Sequence, residues 1–270
     1  MPELDQRAVF ALLLTLAAGM STGIGSVLGL FNRSFNPRVL ALALSFSAGV
    51  MIQVSFVEIF PKARAALAES LGVQLGYAVT VAAFFGGIAA MALLDQLLPS
   101  HAMVLPPSQA EAGEVNEHDA NLLLRMGMFS ALAIGIHNFP EGLATFVAAL
   151  SNPKLGIGIA LAIAIHNIPE GLAISAPIYY ATRNRQKAFL LSFASGLAEP
   201  VGALVGYLLL RSVLTPVVMG VIFASVAGVM VYICLDELLP AAQRYGTHHQ
   251  MIAGVMAGML VMSLSLVLLV

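Results

Sequence analysis

Apolar residues run along this chain in eight long blocks, interrupted by polar or turn-forming clusters. The blocks cover roughly 7–31, 38–60, 74–98, 122–149, 155–180, 186–210, 216–239 and 249–270. Each exceeds the ~20 residues a helix needs to cross the hydrocarbon of a bilayer. The pattern predicts an all-α, polytopic membrane protein with eight transmembrane helices. The interruptions Asn32–Pro37, Lys62–Arg64, Ser151–Lys154 and Arg183–Lys187 hold turn-forming or charged residues, as helix ends do. The longest, residues 99–121, is polar and acidic and is expected to be a mobile cytoplasmic loop between helices 3 and 4. Residues 1–270 otherwise read as one transmembrane domain.

Composition narrows the class further. The 270 residues are 59% hydrophobic and 10% charged, with a mean hydropathy of +0.92. Soluble domains carry about 25% charged residues. The net charge of −2 gives no reason to expect a nucleic-acid partner. A single cysteine, Cys234, excludes an intrachain disulfide framework and a thiolate metal cluster. The first apolar block is too long for a signal-peptide core and counts as a span. With the N-terminus outside, inner loops hold Arg33, Arg38, Arg125, Arg183, Arg185, Lys187 and Arg244, and the outer side holds Arg7, Lys62, Arg64, Lys154 and Arg211. Seven against five favours both termini outside.

Two repeats organise the chain. Residues 137–144 read His-Asn-Phe-Pro-Glu-Gly-Leu-Ala, and residues 166–173 repeat them with Ile168 in place of Phe139, 29 residues later. Around this pair, Gly19, Gly25 and Gly29 match Gly196, Gly202 and Gly206 at an offset of 177. Ala48-Gly49-Val50-Met51 matches Ala227-Gly228-Val229-Met230 at 179, which also superposes Glu58 on Glu237 and Pro61 on Pro240. Helices 1–3 are read as pairing with 6–8, helices 3 and 8 only faintly at Gly87 with Gly258 and Met91 with Met262, and helix 4 with 5. Displacement by an odd number of spans makes the copies run in opposite directions. Inverted repeats of this kind characterise transporters.

The repeated motif carries the chemistry. His137 and Glu141 are one helical turn apart, with Asn138 bordering the same face, and His166, Asn167 and Glu170 repeat the set. Ionisable groups at membrane depth are expensive and mark function by default. Pro140 and Pro169 cannot donate to the carbonyls of Ile136 and Ile165, so each rod is expected to be bent or loosened beside these groups. Two imidazoles and two carboxylates satisfy a four-coordinate Zn²⁺ and suit other first-row divalent ions. The shared carboxylates could bridge a second ion, with amide oxygens from Asn138 and Asn167. Glu199, beside Pro200, is a third intramembrane carboxylate and a further candidate ligand; its repeat mate is Thr22, so the site is not symmetric.

Two His-Asn-x-Pro-Glu-Gly motifs on adjacent spans among eight helices resemble the ZIP family of divalent-metal transporters, and the resemblance covers essentially the whole chain. It implies a binuclear centre midway through the membrane. One metal site would use His137, Glu141, His166 and Glu170; the adjoining one would use Asn138, Glu141, Asn167, Glu170 and Glu199. It further implies a mobile unit of helices 1, 4, 5 and 6 against a scaffold of helices 2, 3, 7 and 8, often dimeric. The family's long His-rich loop is reduced here to His101 and His118. Met51 reads as a core methionine.

The remaining signals are weaker. Glu58, Glu237 with Asp236, and Asp95 read as helix-end charges, although Glu58 and Glu237 could draw cations to an entrance and an exit. Glu111, Glu114, Glu117, His118 and Asp119 read as a solvated loop, and His248 and His249 as interfacial residues. The expected function is divalent-metal uptake through the cytoplasmic (inner) membrane, with Zn²⁺ leading and Fe²⁺, Mn²⁺, Co²⁺ and Cd²⁺ as further substrates. The metal is cargo, and no cofactor is expected. The partners are the ions, the lipid bilayer and a second copy in a homodimer. The rival class is an intramembrane metal-dependent hydrolase, which would need an open metal position with a water and a general base. His-Glu-x-x-His is absent, as is a phosphate-binding Gly-x-x-x-x-Gly-Lys-Ser/Thr loop, so the chain is not read as an enzyme.

Overall fold

The computed structural model describes residues 2–31, 36–97, 117–210, 213 and 215–269. They form eight rods: α1 (Pro2–Phe31), α2 (Pro37–Leu71), α3 (Val73–Leu97), α4 (Glu117–Ser151), α5 (Pro153–Thr182), α6 (Arg185–Gly196, continued by Ala198–Leu210), α7 (Pro216–Tyr245) and α8 (His248–Leu269). Among the described residues there is no strand. All but α4 qualify by length and apolar composition as membrane spans. The 35-residue α4 packs among them and carries the first copy of the motif. The chain is an all-α, multi-pass membrane protein.

Several polar breaks in the sequence are helix caps. The Asn36 side chain accepts from the backbone of Arg38 and Val39, and that of Asn152 from Lys154 and Leu155. Each is followed by a proline in the first turn, where no backbone donor is required. Asn184 caps α6 through Lys187, and Thr215 caps α7 through Val218.

Two rods run farther than the apolar pattern predicts. Helix 2 is expected to end near residue 60 and helix 7 near 239, but the rods continue to Leu71 and Tyr245. Each contains a π turn, Ser55–Ile59 in α2 and Cys234–Leu238 in α7. Phe60 N–H donates to Ser55 O, and Leu239 N–H to Cys234 O. A proline inside an unbroken α-helix removes a ladder bond and clashes with the preceding turn. The wide turn ends one hydrogen-bond register and begins another, so Pro61 and Pro240 fall in the first turn of the new segment. The break after α2 is instead Gly72, whose φ of 84° suits a residue without a side chain.

Helix 4 also begins earlier than expected, at Glu117 rather than near 122. Residues 99–116 of the expected loop, with His101, Glu111 and Glu114, lie outside the described residues, as do Arg33, Arg211 and the side chains of Glu117, His118 and Asp119.

Among the seven rods that qualify as spans, α5 is the most enclosed, with 67% of its most apolar stretch buried against 22% for α3 and 17% for α8. It packs on α1, α4 and α2, while α2 pairs with α8 and α7 with α3. Phe85, Leu93, Leu260 and Leu268 of α3 and α8 point outward, as a lipid-facing surface requires. The two outer pairs meet through glycine. Gly49 of α2 lies on the Val255 main chain, and Gly228 of α7 on that of Phe84; a side chain at either would strike a carbonyl oxygen.

Candidate metal site

A single residue, Asn152, joins α4 to α5, so the two rods form an antiparallel hairpin. The hairpin sets the geometry of the motif pair. His137 Nε2 lies 3.6 Å from Glu170 Oε1, and His166 Nε2 lies 3.2 Å from Glu141 Oε2. Each imidazole therefore faces the carboxylate of the other copy. Both pairs are centred on the same point of the chain, between Pro153 and Lys154. The spacing of the repeat and the shortness of the joint determine this pairing.

All seven residues expected at the site, His137, Asn138, Glu141, His166, Asn167, Glu170 and Glu199, are fully buried inside the bundle and not turned to lipid. Both rods remain helical through Pro140 and Pro169. Extra hydroxyl bonds serve carbonyls of this region: Thr145 donates to Glu141 O, Ser47 of α2 to His166 O, and Ser192 of α6 to Gly171 O. Ser47 and Ser192 have no motif signature in the sequence, and only the packing brings them to the site.

The asparagines are oriented by their neighbours. Asn138 Nδ2 donates to Ser195 O of α6, and Asn167 Nδ2 to Ala18 O of α1, both at 3.1 Å. Asn167 Nδ2 also donates to Glu199 Oε1. These bonds use the amide nitrogens and leave Asn138 Oδ1 and Asn167 Oδ1 without a hydrogen-bond partner. The same holds for Glu141 Oε1, both oxygens of Glu170 and Glu199 Oε2. Buried acceptors are normally satisfied, so a concentration of unsatisfied oxygens on these few turns is the chemistry of a cation site. His166 Nδ1 lies 3.1 Å from Ala162 O, and a hydrogen bond there orients the ring with Nε2 toward Glu141. His137 has no equivalent anchor.

Close main-chain contacts hold the four rods around these groups. Gly142 lies on the Glu199 main chain and Gly171 on that of Thr22; Gly202 lies on Phe139 and Gly25 on Ile168; Gly19 and Gly196 face each other. Among the described residues no three His, Cys, Asp or Glu side chains converge as a ready-made metal site. The donors stand instead as two imidazole–carboxylate pairs, with Glu199 joined to them through Asn167.

The weaker candidates fall elsewhere. Met51 is buried in the apolar core. Asp95 accepts from the Tyr232 hydroxyl, a bond between α3 and α7. Glu58 and Glu237 are half-buried in the two π turns, and His248 and His249 are exposed and meet edge to face. Two buried hydroxyls on α1, Thr22 and Ser26, were not among the expected site residues and are also without hydrogen-bond partners.

A multi-pass helical membrane protein with nitrogen and oxygen donors enclosed at the centre of its bundle belongs to the class of membrane proteins that handle cations. The chain is a member of the ZIP zinc transporter family, whose model matches residues 101–266. It is similar to the zinc transporter ZupT of Chlorobium chlorochromatii (strain CaD3), with 60% identity over 98% of this chain and 99% of the relative. The proteins of the same name from Lysinibacillus sphaericus (strain C3-41) and Streptococcus mutans serotype c (strain ATCC 700610 / UA159) are 55% and 50% identical, each over 99% of this chain and all of the relative. The family is one of transporters rather than enzymes.

Proposed function

We propose that this protein carries divalent metal ions, Zn²⁺ foremost, across the cytoplasmic membrane into the cell. The observation that carries the reading is the crossed pair His137–Glu170 and His166–Glu141, fully buried and surrounded by unsatisfied oxygens. Nitrogen and carboxylate donors without thiolate suit Zn²⁺ and its first-row neighbours, so Fe²⁺, Mn²⁺ and Co²⁺, with Cd²⁺, belong to the substrate range. The names of the relatives support zinc.

In this reading His137, Glu141, His166 and Glu170 take the ion by exchanging their mutual contacts for metal bonds. Asn138, Asn167 and Glu199, with the two shared carboxylates, hold a second ion beside it. Residues 1–270 act as one transport domain, with the connection between α3 and α4 on the cytoplasmic side and both termini outside. The halves α1–α3 and α6–α8 are read as oppositely oriented repeats, as are α4 and α5. The matching offsets, the paired π turns and the reciprocal glycine contacts support this. Alternating exposure of the central donors follows from such symmetry. The protein is read as a homodimer, and membrane potential drives the cation inward by about 2.3 kcal/mol per charge per 100 mV.

The test is purified protein in sealed liposomes containing a metal-sensitive dye. Zn²⁺ influx that competing divalent ions reduce, and that Glu141→Ala or Glu170→Ala abolishes, is the expected result. Influx undiminished in both variants would overturn the ligand assignment. Peptide or lipid cleavage without influx would favour the hydrolase.

A further inference from the structure

We propose that the hydroxyls of Thr22 and Ser26 on α1 form a neutral oxygen subsite for the transported cation, with Thr22 standing where the other half of the molecule has Glu199. The inference rests on the reading of the chain as a divalent-metal carrier.

A hydroxyl buried in a helix ordinarily donates to the carbonyl one turn back or to a neighbouring rod. Thr15 donates to Ala11 O, Ser21 to Ala18 O, Ser45 to Ala41 O, Ser175 to Ser26 O and Ser195 to Ser192 O. Among the described residues, Thr22 and Ser26 are the fully buried hydroxyl side chains that do neither. The same unsatisfied condition marks oxygens of Asn138, Glu141, Asn167, Glu170 and Glu199. The two α1 oxygens therefore share the defining property of the proposed ligand set.

Their placement matches that property. The main chain at Thr22 rests on Gly171, the residue after Glu170, and Ser26 N would be 2.9 Å from a Cβ there. The main chain at Glu199 rests in the same way on Gly142, the residue after Glu141. Asn167 is held by the carbonyl of Ala18, four residues before Thr22; Asn138 is held by that of Ser195, four residues before Glu199. Thr22 thus stands to α5 as Glu199 stands to α4. A Cβ on Gly196 would lie 2.7 Å from Thr22 Oγ1, so this hydroxyl sits against α6.

One flank of the centre is therefore a carboxylate and the other a pair of alcohols. An alcohol adds a hard donor without adding negative charge. Its loss should penalise Zn²⁺ more than the softer Cd²⁺, which depends less on oxygen.

The experiment compares Zn²⁺ and Cd²⁺ uptake, singly and in competition, by the full chain in liposomes. The variants are Thr22→Val, which keeps the shape and removes the oxygen, Thr22→Ser, which restores it, and Ser26→Ala. The expected result is a rise in KM for Zn²⁺ of about fivefold to tenfold in Thr22→Val, the scale of one lost polar contact. Cd²⁺ should change by less than about twofold on the same scale. Thr22→Ser should behave as wild type, and Ser26→Ala should shift the Zn²⁺/Cd²⁺ ratio in the same direction. An unchanged ratio in both Thr22→Val and Ser26→Ala, including equal losses for both ions, would overturn the subsite. If Thr22→Val does not reach the liposomes, Ser26→Ala alone decides. Wild-type uptake with unaltered variants strikes only the subsite, whereas absence of wild-type uptake removes the transport reading and the subsite together.

Discussion

The two copies of the motif differ by one residue in eight, yet they live in different surroundings. The α5 copy is held firmly: His166 has Ala162 O beside Nδ1, and Asn167 donates to both Ala18 O and Glu199. The α4 copy is held loosely: His137 has no hydrogen-bond partner, and Asn138 donates once, to Ser195 O. Identical residues are thus divided into an anchored set and a freer set. The division comes partly from α6, whose Glu199 accepts from Asn167, and partly from α5 itself, whose Ala162 carbonyl faces the His166 ring. A nearly symmetric motif thus sits in an asymmetric frame.

The largest effect should come from removing a carboxylate. Glu141→Ala and Glu170→Ala each strip an imidazole of its partner and, in the proposed site, remove a carboxylate ligand, and uptake should fall by about 100-fold or more. Dye-loaded liposomes measure it, and near-normal transport in both variants would overturn the ligand assignment. Next in size are the glycine contacts. Gly171→Ala and Gly142→Ala force a methyl group against the carbonyls of Thr22 and Glu199, and should destabilise the protein by about 1–3 kcal/mol as overpacking does. Thermal unfolding in detergent measures this, and unchanged midpoints would mean the rods are free to separate.

Asn167→Asp and Asn138→Asp test the anchored and freer sets against each other. The first loses two donated bonds and sets a carboxylate beside Glu199; the second loses one bond. The α5 variant should lose more stability, by about 1–3 kcal/mol per buried group left unpaired, and more Zn²⁺ affinity. Equal losses would erase the anchored/free distinction. The smallest effect is expected for Ser192→Ala, which removes the bond to Gly171 O and should cost about 1 kcal/mol in the same unfolding assay with transport retained.

Much of this was legible in the sequence because lipid imposes a simple rule: long apolar blocks cross, and charges inside them need a reason. The seven expected donors are all enclosed at the bundle centre for that reason. The crossed pairing was harder to see. Periodicity puts His137 and Glu141 on one face, and only the one-residue joint at Asn152 sets that face against its reversed copy. The π turns were hidden because Pro61 with Lys62 and Arg64 has the composition of a loop; the helix survives through a change of hydrogen-bond register that composition does not encode. Thr22 stands out in the sequence only as the repeat mate of Glu199, and Ser26 not at all, because hydroxyls are common in packed helices and only a missing hydrogen bond sets these two apart.

The lone mismatch between the two octets falls at Phe139 and Ile168. There the neighbouring rod touches the peptide backbone: Gly202 rests on the Phe139 carbonyl and Gly25 on that of Ile168. The Phe139 side chain, 36% exposed, reaches the outer surface. A position recognised by its amide skeleton is indifferent to the substituent it bears, so an aromatic ring and a branched aliphatic chain can occupy equivalent places without disturbing the donors on either side.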